Sequence, residues 1–133
     1  MKTIYIIAMF LFSVAAFAQE QKSEQTQGDI LPPKAFDEKI KETPGAVVLD
    51  VRTPEEVKQG KIKDAKNIDF NNSGFEKEVA KLDKDKTYFV YCAKGGRSSK
   101  AYAIMKSSGF KNVYDLEGGF TNWKETGLPV VKK

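Results

Sequence analysis

Two short apolar runs, each leading into a helix start, constrain this chain more than any other feature. Residues 46–51 read Ala-Val-Val-Leu-Asp-Val, a continuous apolar stretch carrying one acid, and residues 88–91 read Tyr-Phe-Val-Tyr. Runs of this kind suit strands covered on both faces. The first leads into Thr53-Pro54-Glu55-Glu56, a capping box with proline at the first helical position. The second leads through a glycine-bearing loop into a helical stretch over 98–108, with Ala101, Ile104 and Met105 inward and Gly109 as its stop. Strands alternating with helices require crossover connections. The expected architecture is therefore a single α/β domain, with a mainly parallel central sheet and helices on both faces. Ligands of such sheets bind beyond the carboxyl ends of the strands. Cys92 lies at one such end, and Asp50 with Arg52 lies at another.

The rest of the chain continues the alternation. Pro32-Pro33 open a short helix with Phe36 and Ile40 on one face, stopped by Thr43-Pro44-Gly45. Gly60 ends the helix that starts at Thr53. Asn67-Ile68 reads as a very short strand. Ser73-Gly74-Phe75-Glu76 resembles a second capping box, and Phe75, Val79 and Leu82 form an apolar stripe behind it. Residues 113–116 read as another strand, and a short final helix carries Phe120 and Trp123 before Gly127 and Pro129. The chain has 133 residues and no internal repeat, enough for one domain and one core.

The first residues stand apart. Met1-Lys2 is a short basic start, residues 4–17 are apolar apart from Ser13, and Ala16-Phe17-Ala18 fits a small-x-small cleavage site. This three-part pattern predicts a secretory signal peptide over 1–18. Residues 19–29, without apolar pattern, read as a flexible linker, and the folded domain is expected over 30–133. The expected location is outside the cytoplasm, periplasmic or secreted, with no membrane attachment after cleavage. The net charge is +4, but lysines and acids are interleaved, as in Asp37-Glu38-Lys39 with Lys41-Glu42. That is a solvated surface rather than a nucleic-acid stripe. The chain has no histidine, which excludes an imidazole base and, with one cysteine, makes a structural zinc site implausible.

Cys92 is the single cysteine, in Tyr91-Cys92-Ala93-Lys94-Gly95-Gly96-Arg97-Ser98. An odd cysteine in an exported protein is either reactive or joined to a partner. At the end of a strand and the start of a helix, a thiolate gains from backbone N–H groups and from the positive end of the helix dipole. Glycines in the loop let N–H groups turn inward, and Arg97 adds a permanent charge.

Three ordered segments resemble the rhodanese-like domains. Leu49-Asp50-Val51-Arg52-Thr53-Pro54-Glu55-Glu56, running on through Gly60-Lys61-Ile62-Lys63-Asp64-Ala65, is similar to their first signature. Residues 92–98 are similar to their active-site loop, and Leu116-Glu117-Gly118-Gly119-Phe120-Thr121-Asn122-Trp123 to their C-terminal signature. The resemblance implies a sulfurtransferase. Cys92 would take a sulfane sulfur from a donor as a persulfide and yield it to a nucleophilic acceptor. Ala93, Lys94, Gly95, Gly96, Arg97 and Ser98 would bind the sulfur and its donor, with the backbone N–H groups holding the negative sulfur. Arg97 would contact donor oxygens as well as buttress the loop. Asp50 and Arg52 would tie neighbouring loops together. Thiosulfate or a polysulfide is the implied small anionic donor, and cyanide or a thiol, including a protein thiol, the acceptor. No cofactor or metal is implied. A cation at Lys94 resembles thiosulfate-using members. Cysteine phosphatases have one residue more between cysteine and arginine than the four that separate Cys92 from Arg97, so sulfur transfer ranks above phosphatase or arsenate reductase chemistry. Two other readings keep Cys92 central. One is a sulfur carrier without turnover that serves a partner protein. The other is a protein that forms a mixed disulfide. Lys61 and Asp64 stand where the family often has histidine and glycine, which bears on the local turn rather than on the cysteine loop.

Overall fold

The computed structural model describes residues 27–132. The expected signal segment, 1–18, and residues 19–26 of the expected linker lie outside the described residues. Five strands form one parallel sheet: β1 (Ile30–Leu31), β2 (Val47–Asp50), β3 (Lys66–Asn67), β4 (Thr87–Tyr91) and β5 (Asn112–Leu116), in the order β1-β5-β4-β2-β3. The helices are α1 (Pro33–Glu42), α2 (Pro54–Lys58), α3 (Phe75–Ala80), α4 (Gly96–Ser107) and α5 (Gly119–Glu125). None of the described helices is long and apolar enough to cross a membrane.

The continuous apolar runs become the two central strands, and their side chains alternate between two cores. Leu49, Val51, Tyr88, Val90 and Cys92 pack with Phe75 and Val79 of α3 and with Ala101, Tyr102 and Met105 of α4. Val48, Phe89, Tyr91 and Leu116 pack on the opposite face with Phe36 of α1 and with Phe120 and Trp123 of α5. Phe36 meets Phe89 and Trp123 edge-on, with ring centroids 5.5 and 6.3 Å apart. Each fully buried Leu or Phe contributes about 1.5–3 kcal/mol, so both faces are needed to hold the sheet. The register pairs Leu49 with Val90 and Asp50 with Tyr91, which brings the carboxyl ends of β2 and β4 level.

The helix starts follow their caps. Thr53 and Glu56 form the expected capping box, with Pro54 as the first helical residue. The second box, expected at Ser73, is not made. α3 begins at Phe75 with Gly74 as its cap, so Ser73 lies one residue too far from the first turn, and Asn72 Oδ1 accepts the Gly74 N–H at 2.7 Å instead. α4 starts at Gly96, two residues earlier than expected, because Gly95 takes a left-handed conformation (φ +110°) and caps it. The second short strand is shifted by one residue, to Lys66–Asn67. The 3-10 turn Gln27–Asp29 falls in the last residues read as linker and leads directly into β1. The Asp29 carboxylate accepts the Tyr102 hydroxyl.

Candidate active site

β2 connects outward to β3, whereas β4 connects to β5 on the other side of the sheet. The carboxyl ends of β2 and β4 therefore flank a topological switch point, where a crevice opens in sheets of this class. Cys92 follows β4 directly, and Arg52 follows β2 by one residue.

The cysteine is 1 % exposed. It belongs to the buried cluster that also holds Leu49, Val51, Val90 and Ala101. On the loop side the surroundings are polar. The Gly95 N–H donates to Sγ at 3.0 Å, a position that the left-handed φ of Gly95 makes accessible. Ser98, fully buried, places its hydroxyl oxygen 3.4 Å from Sγ and donates that hydroxyl to the Gly95 carbonyl at 3.2 Å. A serine hydroxyl rotates to suit its partner, so it can turn to a negative sulfur. The first turn of α4 at Gly96, Arg97 and Ser98 brings N–H groups that helix geometry leaves without intrahelical partners. Gly95 is thus the loop amide placed on the sulfur, within the expected span of residues 93–98.

The carbonyl side of the same loop is held by α5. Phe120 N–H donates to the Cys92 carbonyl at 2.8 Å, and Thr121 N–H to the Ala93 carbonyl at 3.0 Å. In a trans peptide the C=O and the next N–H point in opposite directions. Tying these carbonyls to α5 therefore aims the Ala93 and Lys94 amides to the other side of the loop. The approach is close enough to require glycine. A Cβ on Gly119 (φ +64°) would lie 2.6 Å from the Ala93 carbonyl carbon and oxygen and 2.7 Å from the Cys92 oxygen. The Gly118-Gly119 pair is more than a tight turn into the last helix, because it seats that helix against the cysteine loop.

Arg97 shows the buttressing part of its expected role. Both terminal nitrogens are engaged by Glu56, at 2.6 and 2.9 Å, in a bidentate pair. Its guanidinium is held by α2, so Arg97 buttresses the loop. Glu56 in turn accepts the Thr53 N–H at 3.2 Å and the Thr53 hydroxyl at 3.1 Å. Arg97 and these Thr53 donors bring the Glu56 carboxyl down to about 2, against a burial effect in the other direction. Glu56 raises Arg97 in the same way, with Cys92 and then Asp69 contributing through their charge alone. Lys94 is exposed and makes no ion pair among the described residues. It is the cation of the loop left open to an anion.

Asp50 and Arg52 occupy the other face. Arg52 Nη2 reaches Asp50 Oδ2 at 2.7 Å, and its Nε reaches Oδ1 at 3.0 Å. The Tyr91 hydroxyl donates to Asp50 Oδ2 at 2.6 Å and accepts the Ile62 N–H at 3.1 Å. Burial first, then the neighbouring Asp50, raises that phenol well above its ordinary range. Arg52 also donates to the Gly60 carbonyl at 2.7 Å and lies 4.3 Å from the Phe120 ring centroid. The pair ties the end of α2 to the sheet and makes no contact with Sγ. Of the residues that shape the cysteine loop, sequence reasoning missed Glu56, Gly119, Phe120 and Thr121 as partners of that loop. Glu56 carried a signal as the third residue of a capping box, but nothing local shows that its carboxylate reaches an arginine 41 residues on.

Residues 32–126 match the rhodanese-like domain family. The chain is 31 % identical over 98 residues to a sulfurtransferase of Allochromatium vinosum, covering 74 % of this chain and 90 % of that protein. It is 40 % identical over 91 residues to the chloroplastic thiosulfate sulfurtransferase 16 of Arabidopsis thaliana, covering 61 % of this chain and 76 % of the relative. Among solved structures, the rhodanese-related protein of Thermoplasma volcanium superposes with a TM-score of 0.70 at 36 % identity, covering 78 % of this chain and 98 % of its own. Relatives named sulfurtransferase support a sulfur-transfer role. With the parallel sheet, the cysteine loop at its switch point and the α5 glycine pair in place, the chain belongs to the rhodanese-like family.

Proposed function

We propose that this protein is a sulfurtransferase in which Cys92 carries the transferred sulfur as a persulfide. The observation that carries the reading is the Gly95 N–H on Sγ at 3.0 Å, at the carboxyl end of the central strand, beside the first turn of α4. A thiolate there attacks the outer sulfur of a donor such as thiosulfate. The donor S–S bond breaks, sulfite leaves with the bonding pair, and the negative charge moves to the outer sulfur of the new persulfide. The loop amides and the Ser98 hydroxyl offset that charge. Cyanide or a thiol, including a protein thiol, then attacks the outer sulfur, and the Cys92 thiolate departs as leaving group. No step needs an imidazole, in keeping with a chain that has no histidine. Lys94 draws the anionic donor to the loop. In this reading the domain works outside the cytoplasm after removal of residues 1–18, which N-terminal sequencing of the mature protein checks.

Intact-mass spectrometry after incubation with thiosulfate tests the chemistry. The expected result is one added sulfur, lost on addition of cyanide with release of thiocyanate. An unchanged mass with thiosulfate and with an organic persulfide alike, or added sulfur that cyanide does not remove, refutes the proposal.

A further inference from the structure

We propose that Glu56 selects the sulfur donor: by holding the Arg97 guanidinium it withholds a cation from the cysteine loop and disfavours the thiosulfate dianion relative to singly charged organic persulfides. The inference rests on the sulfur-transfer reading above and names the donor class for that site. A guanidinium is the side chain best shaped to take two oxygens of a sulfonate. Two arginines stand at the carboxyl rim of β2 and β4, and both are committed to carboxylates. Arg52 gives Nε and Nη2 to Asp50. Arg97 gives Nη1 and Nη2 to Glu56. The second pair is at the rim rather than in the core, with the side chains 25 % and 33 % exposed. Glu56 cannot swing off cheaply, because the Thr53 N–H and hydroxyl fix the same carboxylate. Cys92, and after it the Asp69 carboxylate, also act on Arg97 through their charge, which puts the Glu56–Arg97 pair within electrostatic reach of the sulfur. The remaining loop cation, Lys94, is a flexible point charge.

The charge of Glu56 therefore opposes any anion at the loop, and the opposition scales with the charge of the donor. With an organic persulfide, the terminal S–S bond breaks, the inner thiolate leaves with the bonding pair, and the outer sulfur stays on Cys92. That donor brings one negative charge where thiosulfate brings two.

Glu56→Gln is the deciding variant. Glutamine serves at the third position of a capping box, so the helix start is kept while the charge is removed. The probes are thiosulfate and 2-hydroxyethyl persulfide, with cyanide as the common acceptor. Because free-energy effects double with charge, kcat/KM is expected to rise about tenfold for thiosulfate and about threefold for the persulfide, chiefly through KM. Glu56→Asp, which keeps the charge on a shorter arm, is expected to give no such rise. Equal factors for the two donors, a fall for thiosulfate in E56Q, or the same gain in E56D overturns the assignment. If the wild-type protein moves sulfur from neither donor, the sulfur-transfer reading falls with it. If it uses both and E56Q leaves their ratio fixed, the donor-selecting role alone falls.

Discussion

The two buried polar clusters at the carboxyl end of the sheet lie on adjacent strands and face opposite sides of it. Asp50, Arg52 and Tyr91 sit on the side of α1 and α5, and Cys92 with Ser98 sits toward α4. Both are withdrawn from solvent, with Asp50 at 0 %, Arg52 at 3 %, Cys92 at 1 % and Ser98 at 0 % exposure. They differ in how far their hydrogen-bonding capacity is used. Asp50 Oδ1 takes the Arg52 backbone N–H and Nε, and Oδ2 takes Nη2 and the Tyr91 hydroxyl. That carboxylate is saturated, which is what a buried charge requires to be tolerated. The sulfur of Cys92 has one backbone amide and one rotatable hydroxyl beside the first turn of a helix. It retains capacity for one more negatively charged atom. Saturation marks a lock, and under the proposed function the residual capacity at Cys92 is what a persulfide would use, although burial is the same in both.

The contrast breaks most visibly at Cys92. Cys92→Ser keeps a small side chain that can accept the Gly95 N–H, so the fold is expected to persist while sulfur transfer falls by at least about a thousandfold. Sustained thiocyanate production by a folded C92S protein would erase the distinction between the two clusters. On the locked side, Arg52→Ala leaves Asp50 buried with its main partner gone, and the expected loss is about 3–5 kcal/mol of stability by urea denaturation. A loss below about 1 kcal/mol would show that the lock carries little of the fold.

Gly119→Ala tests whether the loop depends on α5 as its backing. A left-handed φ costs an alanine about 1–2 kcal/mol, and the contact with the Ala93 backbone adds to that. Thermal unfolding should report a loss of about 2–3 kcal/mol, with slower alkylation of Cys92 by iodoacetamide at fixed pH. Gly28→Ala, where a Cβ meets nothing within 4 Å, serves as the control. Equal alkylation rates in the wild type and G119A would remove α5 from the site. The smallest effect belongs to the Glu56–Arg97 pair. The folded-state Glu56 carboxyl lies at about 2, below its ordinary value of 4.5. Its contribution is therefore complete above pH 4.5 and is lost as pH falls toward 2. For a pair this exposed the contribution is about 1 kcal/mol or less. Stability of the wild type should fall more steeply than that of E56Q across this interval, and parallel curves would count against the pair.

Much of this arrangement is legible along the chain. The capping box at Thr53, the strand run at 46–51 and the thiol between a strand and a helix all depend on residues within a few positions of one another. The elements that escape are those without local signals. β1 has two residues and exists through its pairing of Ile30 with Asp115 and Leu31 with Leu116. The capping pattern at Ser73 is outcompeted by a helix that begins one residue later. Asp64, where the family often has glycine, adopts the same left-handed conformation a glycine would (φ +62°), which aspartate tolerates better than most residues.

What the amino-acid sequence determined by itself is the alternation of strands and helices after β1, and so a parallel sheet that delivers its one thiol to a strand end. Local propensity and period suffice for that, since each signal is read within a turn or a strand. Which group meets Arg97, which amide meets the sulfur and which helix backs the loop were decided by the tertiary structure alone. Glu56 and Arg97 are 41 residues apart, and they meet because the register of β2 on β4 sets the helix starts at Thr53 and Gly95 side by side.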